Sequence, residues 1–211
     1  MALRGGFDVV AADDVPAVAP GQPAVSVLMI GNTGRAMWES YQAARVDGPN
    51  PLDRWAFAAI EPLARSFGAR AIYPYDAPPK PFQRWAARAW PLHASPLGLL
   101  IDAEFGLWHA LRAALVFPTN VERPQPAATA SPCDTCLDKP CLTACPVNAF
   151  SPAGFDYVGC RAHLATAAGD DCLANGCRAR VSCPIGVQHR HSQAQLQFHQ
   201  RSYSGKTRTH G

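Results

Sequence analysis

Cys133, Cys136, Cys141 and Cys145 fall within thirteen residues, and Pro146 follows the last of them. Cys160, Cys172, Cys177 and Cys183 come later, the last again followed by a proline, Pro184. The first 132 residues contain no cysteine, so all eight lie in one C-terminal stretch. Eight is two sets of four, and four thiolates are the ligand set of a [4Fe–4S] cluster. A C-x2-C loop presents thiolates to one cube at short radius. The fourth cysteine of a C-x2-C…C-x3-C-P run instead serves the other cluster of a pair. The proline cannot continue a helix or a strand ladder, and it turns the chain away. The spacing therefore predicts an interleaved arrangement. One cluster takes Cys133, Cys136, Cys141 and Cys183; the other takes Cys145, Cys160, Cys172 and Cys177. Clusters linked in this way sit close enough to exchange electrons.

Two other uses of eight cysteines compete. Zinc also takes C-x2-C pairs, but zinc knuckles rarely carry C-x3-C-P, and a tetrahedral site wants two separated pairs. A zinc-bound interaction module is therefore the weaker reading. A disulfide framework belongs to small secreted domains, whereas this chain is mid-sized and its start shows no signal-peptide pattern. Iron–sulfur clusters need a reducing compartment, so the expected location is cytoplasmic.

The cysteine segment resembles the ferredoxin-type domain with two [4Fe–4S] clusters. It is most similar to the domain at the end of epoxyqueuosine reductase and its corrinoid-dependent relatives, which include reductive dehalogenases. The first run with Cys145-Pro146, the lone cysteine in Gly159-Cys160-Arg161-Ala162-His163-Leu164, and the closing Cys172, Cys177 and Cys183-Pro184 carry the resemblance. Two gaps depart from it. Four residues rather than two separate Cys136 from Cys141, a wider loop that resembles the iron–sulfur subunits of molybdenum-dependent oxidoreductases. The last three cysteines are also spread more widely than the simple pattern. A second resemblance lies in residues 95–117, from Ser95-Pro96-Leu97-Gly98-Leu99-Leu100 through Phe105-Gly106-Leu107-Trp108. It is similar to a cofactor-lining stretch of the corrinoid-binding reductases and of the related vitamin B12 trafficking chaperone. That resemblance implies a corrinoid beside Gly98, Gly106 and Trp108, with the glycines admitting a flat macrocycle and the tryptophan giving it an apolar face. It also implies a strand over residues 107–117. The competing reading is a glycine-punctuated core hairpin, and the stretch before the cysteines is shorter than the family's whole corrinoid domain.

The elements that must position these residues read as follows. With 211 residues the chain has room for one or two domains, and its 48% hydrophobic and 17% charged content is globular. A net charge of +3 gives no electrostatic basis for binding nucleic acid in bulk. No run of eighteen apolar residues exists, so no membrane span is expected. Phe7–Val10 reads as a short strand or a helix end. Ala24–Ile30 is a buried strand closed by Gly31, followed by a turn at Asn32-Thr33-Gly34 and a helix from Arg35 to Arg45. Strand, turn, helix suggests an α/β unit, with turn amides that could hold an anion or a cofactor carbonyl. Asn50-Pro51 is a helix start, with Trp55, Ala59, Ile60 and Leu63 as the core stripe and Gly68 as the C-cap. Residues 69–74 form a second strand, and residues 83–90 a short helix. His93 and His109 read as surface or core residues rather than ligands.

Past the cysteine run, Val147–Phe150, Phe155 and Tyr157 are expected to cover a cluster. Arg178 and Arg180 lie near the second set of ligands, where positive charge would raise a reduction potential, although a solvated basic face explains them equally well. Residues 192–203 suggest a helix, and the end from Ser204 reads as unstructured. The expected organisation is α+β. A small α/β domain of residues 1–123, which the resemblance would make a truncated corrinoid-reductase-like domain, precedes a linker at 124–132. A ferredoxin-like two-cluster domain at 133–190 and a basic tail at 191–211 follow. The functional expectation is an electron-transfer protein with two [4Fe–4S] clusters that serves a redox partner protein. The alternative is a corrinoid-dependent reductase.

Overall fold

The computed structural model describes residues 1–45 and 47–205. In chain order the elements are β1 (Ala2–Asp8), β2 (Ser26–Thr33), α1 (Ala36–Ala43), α2 (Pro51–Ser66), β3 (Arg70–Ile72), α3 (Phe82–Ala89), β4 (His93–Ala94), β5 (Leu100–Ile101) and β6 (His109–Phe117). Then follow α4 (Pro140–Thr143), β7 (Phe150–Ser151), β8 (Gly154–Phe155), α5 (Tyr157–Ala165), α6 (Asp170–Asn175), α7 (Arg178–Val181) and α8 (Gln193–Ser204). The chain divides into two units. The first holds Met1–Leu92 with His109–Thr129, and the second holds His93–Trp108 with Ala130–Gly211. The first unit was expected to run unbroken to residue 123; instead His93–Trp108 groups with the cysteine segment.

The first unit is built on a four-stranded sheet in the order β1-β2-β6-β3, antiparallel throughout. Alternation along β2 and β6 sends neighbouring side chains to opposite faces. Val27, Met29, Ala114 and Val116 pack on one face with Phe82, Trp85 and Ala89 of α3. Leu28, Ile30, Ala113, Leu115 and Phe117 pack on the other with Ala56, Ile60 and Ala64 of α2. The fold mixes helix and strand, as expected. β2 and β3 both pair antiparallel with β6, so they run in the same direction, with α1 and α2 between them in the chain and β6 between them in the sheet.

Two local expectations also change. β2 does not stop at Gly31 but runs on through Asn32 and Thr33. A register shift between Ile30 and Gly31 leaves Arg112 of β6 with no residue opposite it on β2, and a side chain at Gly31 would meet the Ala110 carbonyl at 2.3 Å. Glycine there serves close approach at a bulge, not termination. The core stripe of α2 is Leu52, Ala56, Ile60 and Ala64, so Leu63 is exposed and Trp55 only half-buried. Asn50 starts the helix from a left-handed backbone with no side-chain cap. Gly68 behaves as expected, with φ of +64° and its amide bonded to the Arg65 carbonyl while Ala69 reaches Ala64.

Asp13 ties the N-terminal loop to α3. Its carboxylate accepts from the Val10 amide at 2.9 Å and from Arg88, and its carbonyl accepts from Trp85 Nε1 at 2.7 Å. Burial works to raise the Asp13 carboxyl, but Arg88 and the Val10 amide outweigh it and hold it below its ordinary value. A carboxyl depressed in the folded state contributes stability above its unfolded value and loses it as pH falls through the folded one. The first unit is therefore expected to lose stability below about pH 4, read as a falling urea midpoint. Asp13→Asn should flatten that part of the profile; an unchanged acid limb would sink the assignment.

The second unit is assembled from short elements. β4 and β5 form a hairpin around Gly98, and β7 and β8 form another. α8 starts at Ser192, whose side chain accepts from the Gln195 amide at 3.3 Å, and ends at Gly205 in a left-handed conformation. The remaining expected tail, with Lys206 and Arg208, lies outside the described residues. Among the described residues no helix is long and apolar enough to cross a membrane.

Candidate metal centre

The eight thiols are all free, and short helices deliver most of them. Lys139 takes a left-handed backbone with φ of 39°, and Pro140 then opens α4, which carries Cys141. Cys145 lies just past the end of that helix and accepts from the Ala149 amide at 3.4 Å. Asp156 caps α5 by accepting from the Gly159 amide at 2.8 Å, which orients Cys160 within its first turns. Cys172 lies in α6, Cys177 is the N-cap of α7, and Cys183 follows that helix. Short helices broken by Pro, Gly and left-handed turns bring thiols in from several directions, which one long helix would not do.

The thiols act on one another electrostatically. Burial pushes Cys133, Cys141 and Cys183 up first, and neighbouring thiols push them further. The neighbours are Cys136 and Cys183 for Cys133; Cys183, Cys133 and Cys136 for Cys141; and Cys136 for Cys183. Every pair within this group of four is thereby coupled. Burial likewise raises Cys160, Cys172 and Cys177. Cys177 and Cys145 act on Cys160 and on Cys172, and Cys145 acts on Cys177. These influences run among Cys133, Cys136, Cys141 and Cys183 as one candidate quartet, and link Cys145 and Cys177 with Cys160 and Cys172 as another. Among the described residues no three His, Cys, Asp or Glu side chains converge closely enough to hold a single metal ion.

Apolar side chains line the buried thiols of each quartet. Cys141, Cys145 and Cys183 pack with Leu97, Ile101, Leu107 and Ala179, and Cys172 packs with Leu164 and Leu173. Amides point at the sulfurs: Arg178 toward Cys172, Ala179 and Arg180 toward Cys177, and Ile185 toward Cys183. Of the expected cover residues, Ala149 is buried and Phe150 packs against the first of these groups. Val147, Phe155 and Tyr157 are exposed, although Phe155 stacks on Phe150 at 4.9 Å.

The two arginines separate. Arg178 is exposed and pairs with Asp171 at 3.3 Å. Arg180 is not part of a solvated face. Its Nε is sealed from solvent without a partner, its Nη2 donates to the Leu107 carbonyl, and its guanidinium lies 4.7 Å from the centre of the Trp108 ring. Burial pushes Arg180 down to about 10, opposed by Cys177, so it stays charged at neutral pH beside the second quartet.

Trp108, Gly106 and Gly98 lie in different settings. Trp108 is fully buried, with Arg180 over its face and His191 at its edge, ring centroids 5.3 Å apart. The close approach at Gly106 is to the chain's own backbone, since a side chain there would meet the Ile185 carbonyl at 2.1 Å. Gly98 alone opens onto free space, at the tip of the β4–β5 hairpin. His93 and His109 belong to strands β4 and β6.

Two side chains beside the second quartet were not foreseen as site residues. His163 Nε2 lies 3.9 Å from the Cys172 sulfur. Its place three residues after Cys160, one helical turn on, was a readable signal. Tyr203, beside Cys160, is pushed up to about 12, first by burial and then by that thiol. Its separation from Cys160 along the chain gave no such signal.

No family model matches the chain, and no curated protein does. Among solved structures, epoxyqueuosine reductase from Streptococcus thermophilus is similar, with a TM-score of 0.44 and 18% identity over 77% of this chain and 50% of that one. The chain thus spans half the length of that enzyme.

Proposed function

We propose that this chain transfers single electrons through two [4Fe–4S] clusters, one held by each quartet of cysteines. What supports this reading is that eight free thiols influence one another in two sets, Cys133, Cys136, Cys141 and Cys183 in one, and Cys145 and Cys177 with Cys160 and Cys172 in the other. Burial first and neighbouring thiols second favour the protonated form of Cys133, Cys141, Cys160, Cys172 and Cys177 in the metal-free chain, so binding a cluster as thiolates would release protons. The charged Arg180 beside Cys177, its Nε sealed from solvent without a partner, fits a group of net negative charge there. Clusters of this type take up and give back one electron at a time. The protein's own part is to hold the ligands, exclude water with Leu97, Ile101, Leu107 and Leu164, and aim backbone amides at the sulfurs. Two thiols of each quartet are half-buried, Cys133 and Cys136 in the first and Cys160 and Cys177 in the second, and the electrons pass to a redox partner protein. Such a protein works in a reducing compartment, and the cytoplasm is the setting we infer.

Anaerobic reconstitution with iron and sulfide tests the reading. The expected product is brown, is bleached by dithionite, and contains about eight iron and eight sulfide per chain. A colourless protein that takes up zinc instead would overturn it. Titration with cob(II)alamin tests the corrinoid alternative. With the face of Trp108 covered by Arg180, no base-off spectral change is expected.

A further inference from the structure

The last turn of α8 brings a phenol to the second quartet. The Tyr203 hydroxyl is sealed from solvent and makes no hydrogen bond of ordinary geometry; the group beside it is the Cys160 thiol. The ring packs with Cys160 against Leu164, Cys172 and Leu173, so it touches the parts of α5 and α6 that carry two members of the quartet. Its position is held from outside. Tyr157 meets it edge-on with centroids 5.8 Å apart, Arg161 lies over Tyr157 at 5.4 Å, and Arg161 Nη2 donates to the Ser204 carbonyl at 3.3 Å. The phenol is therefore fixed by its neighbours and is not free to swing to water.

A buried hydroxyl without an acceptor costs about 1–3 kcal/mol. A neutral thiol is a weak acceptor, while a ligated thiolate is a charged one that binds an O–H donor far better. The position of Tyr203 makes physical sense if its acceptor is the sulfur in its charged, ligated form. We propose that Tyr203 donates a hydrogen bond to the Cys160 sulfur and thereby raises the reduction potential of the second cluster alone. This inference rests on the two-cluster reading above. A hydrogen bond to a cluster sulfur stabilises the reduced, more negative state, which is why such bonds move potentials upward. The first quartet, of Cys133, Cys136, Cys141 and Cys183, has no part in this contact. Arg180 acts on the same quartet, but replacing it would also strip the face of Trp108, so Tyr203 gives the cleaner test.

The experiment is Tyr203→Phe in the full chain, which removes the hydroxyl and keeps the ring. Iron and sulfide should remain at the parent level. In a redox titration followed by electron paramagnetic resonance, one midpoint potential should fall while the other stays. In the metal-free chain, where the hydroxyl has only a weak acceptor, Tyr203→Phe should be at least as stable to urea as the parent. Tyr203→Leu, which removes ring and hydroxyl together, should lower the same potential by at least as much. Loaded clusters whose potentials are both unmoved, or both shifted alike, overturn the inference. So does a fall seen with Leu but not with Phe, since the ring would then be the cause. A parent chain that binds no iron overturns the two-cluster reading and takes this inference with it.

Discussion

Cys183→Ala is expected to halve the iron of the reconstituted protein, from about eight to about four atoms per chain. Cys183 lies 38 residues past Cys145 in the sequence, yet its thiol is coupled to Cys133, Cys136 and Cys141. Removing it should therefore empty the first site and leave the second. Cys145→Ala should do the reverse, because Cys145 acts on Cys160, Cys172 and Cys177 in spite of its place in the first run. Pairs of substitutions make the test sharp. Cys136→Ala added to Cys183→Ala falls within one quartet and should remove no further iron. Cys145→Ala added to Cys183→Ala strikes both quartets and should leave almost none. Binding at a structural metal site is folding free energy on the order of 10 kcal/mol, so each loss should also lower the unfolding temperature of the second unit. If the cross-quartet double variant kept the iron of a single one, the interleaved assignment would be wrong.

Trp108→Ala should be the most damaging change outside the cysteines. The side chain is fully buried in the second unit, with one guanidinium 4.7 Å from its ring centre and a second, that of Arg190, at 5.8 Å. Truncating a buried tryptophan costs about 3–5 kcal/mol. Losing the face on which Arg180 rests adds up to about 2 kcal/mol, since that contact is desolvated. At about 4 °C per kcal/mol, a loss of about 3 kcal/mol lowers the unfolding temperature by about 12 °C. Trp108→Phe keeps a face for Arg180 and should lose about half as much. Scanning calorimetry of the three proteins decides the matter. A Phe variant as unstable as the Ala variant would mean that Arg180 draws nothing from the ring.

How much of this was legible beforehand depends on the distance over which each feature is decided. The helix over 51–66 could be read from Asn50-Pro51 and Gly68, because a helix end is settled by a few neighbouring residues. Its buried face was misjudged by a rotation that exposed Leu63, because a stripe of alanines at 56 and 64 carries little hydrophobic signal. The length of β2 was missed for a related reason. Gly31 resembles a stop in one strand, and only the approach of Ala110 from another shows what it is for.

The sequence by itself determined the number of thiols, their two runs, and the prolines and short gaps that keep each run from becoming one helix. Those are local matters of chain geometry. Only the tertiary structure decided that the sheet is antiparallel, that residues 93–108 belong with the cysteine segment, and that Arg180 covers the Trp108 face read as a cofactor wall. Strand partners, the filling of a buried surface and the meeting of Tyr203 with Cys160 depend on contacts between residues far apart in the chain. No spacing pattern along the sequence encodes them.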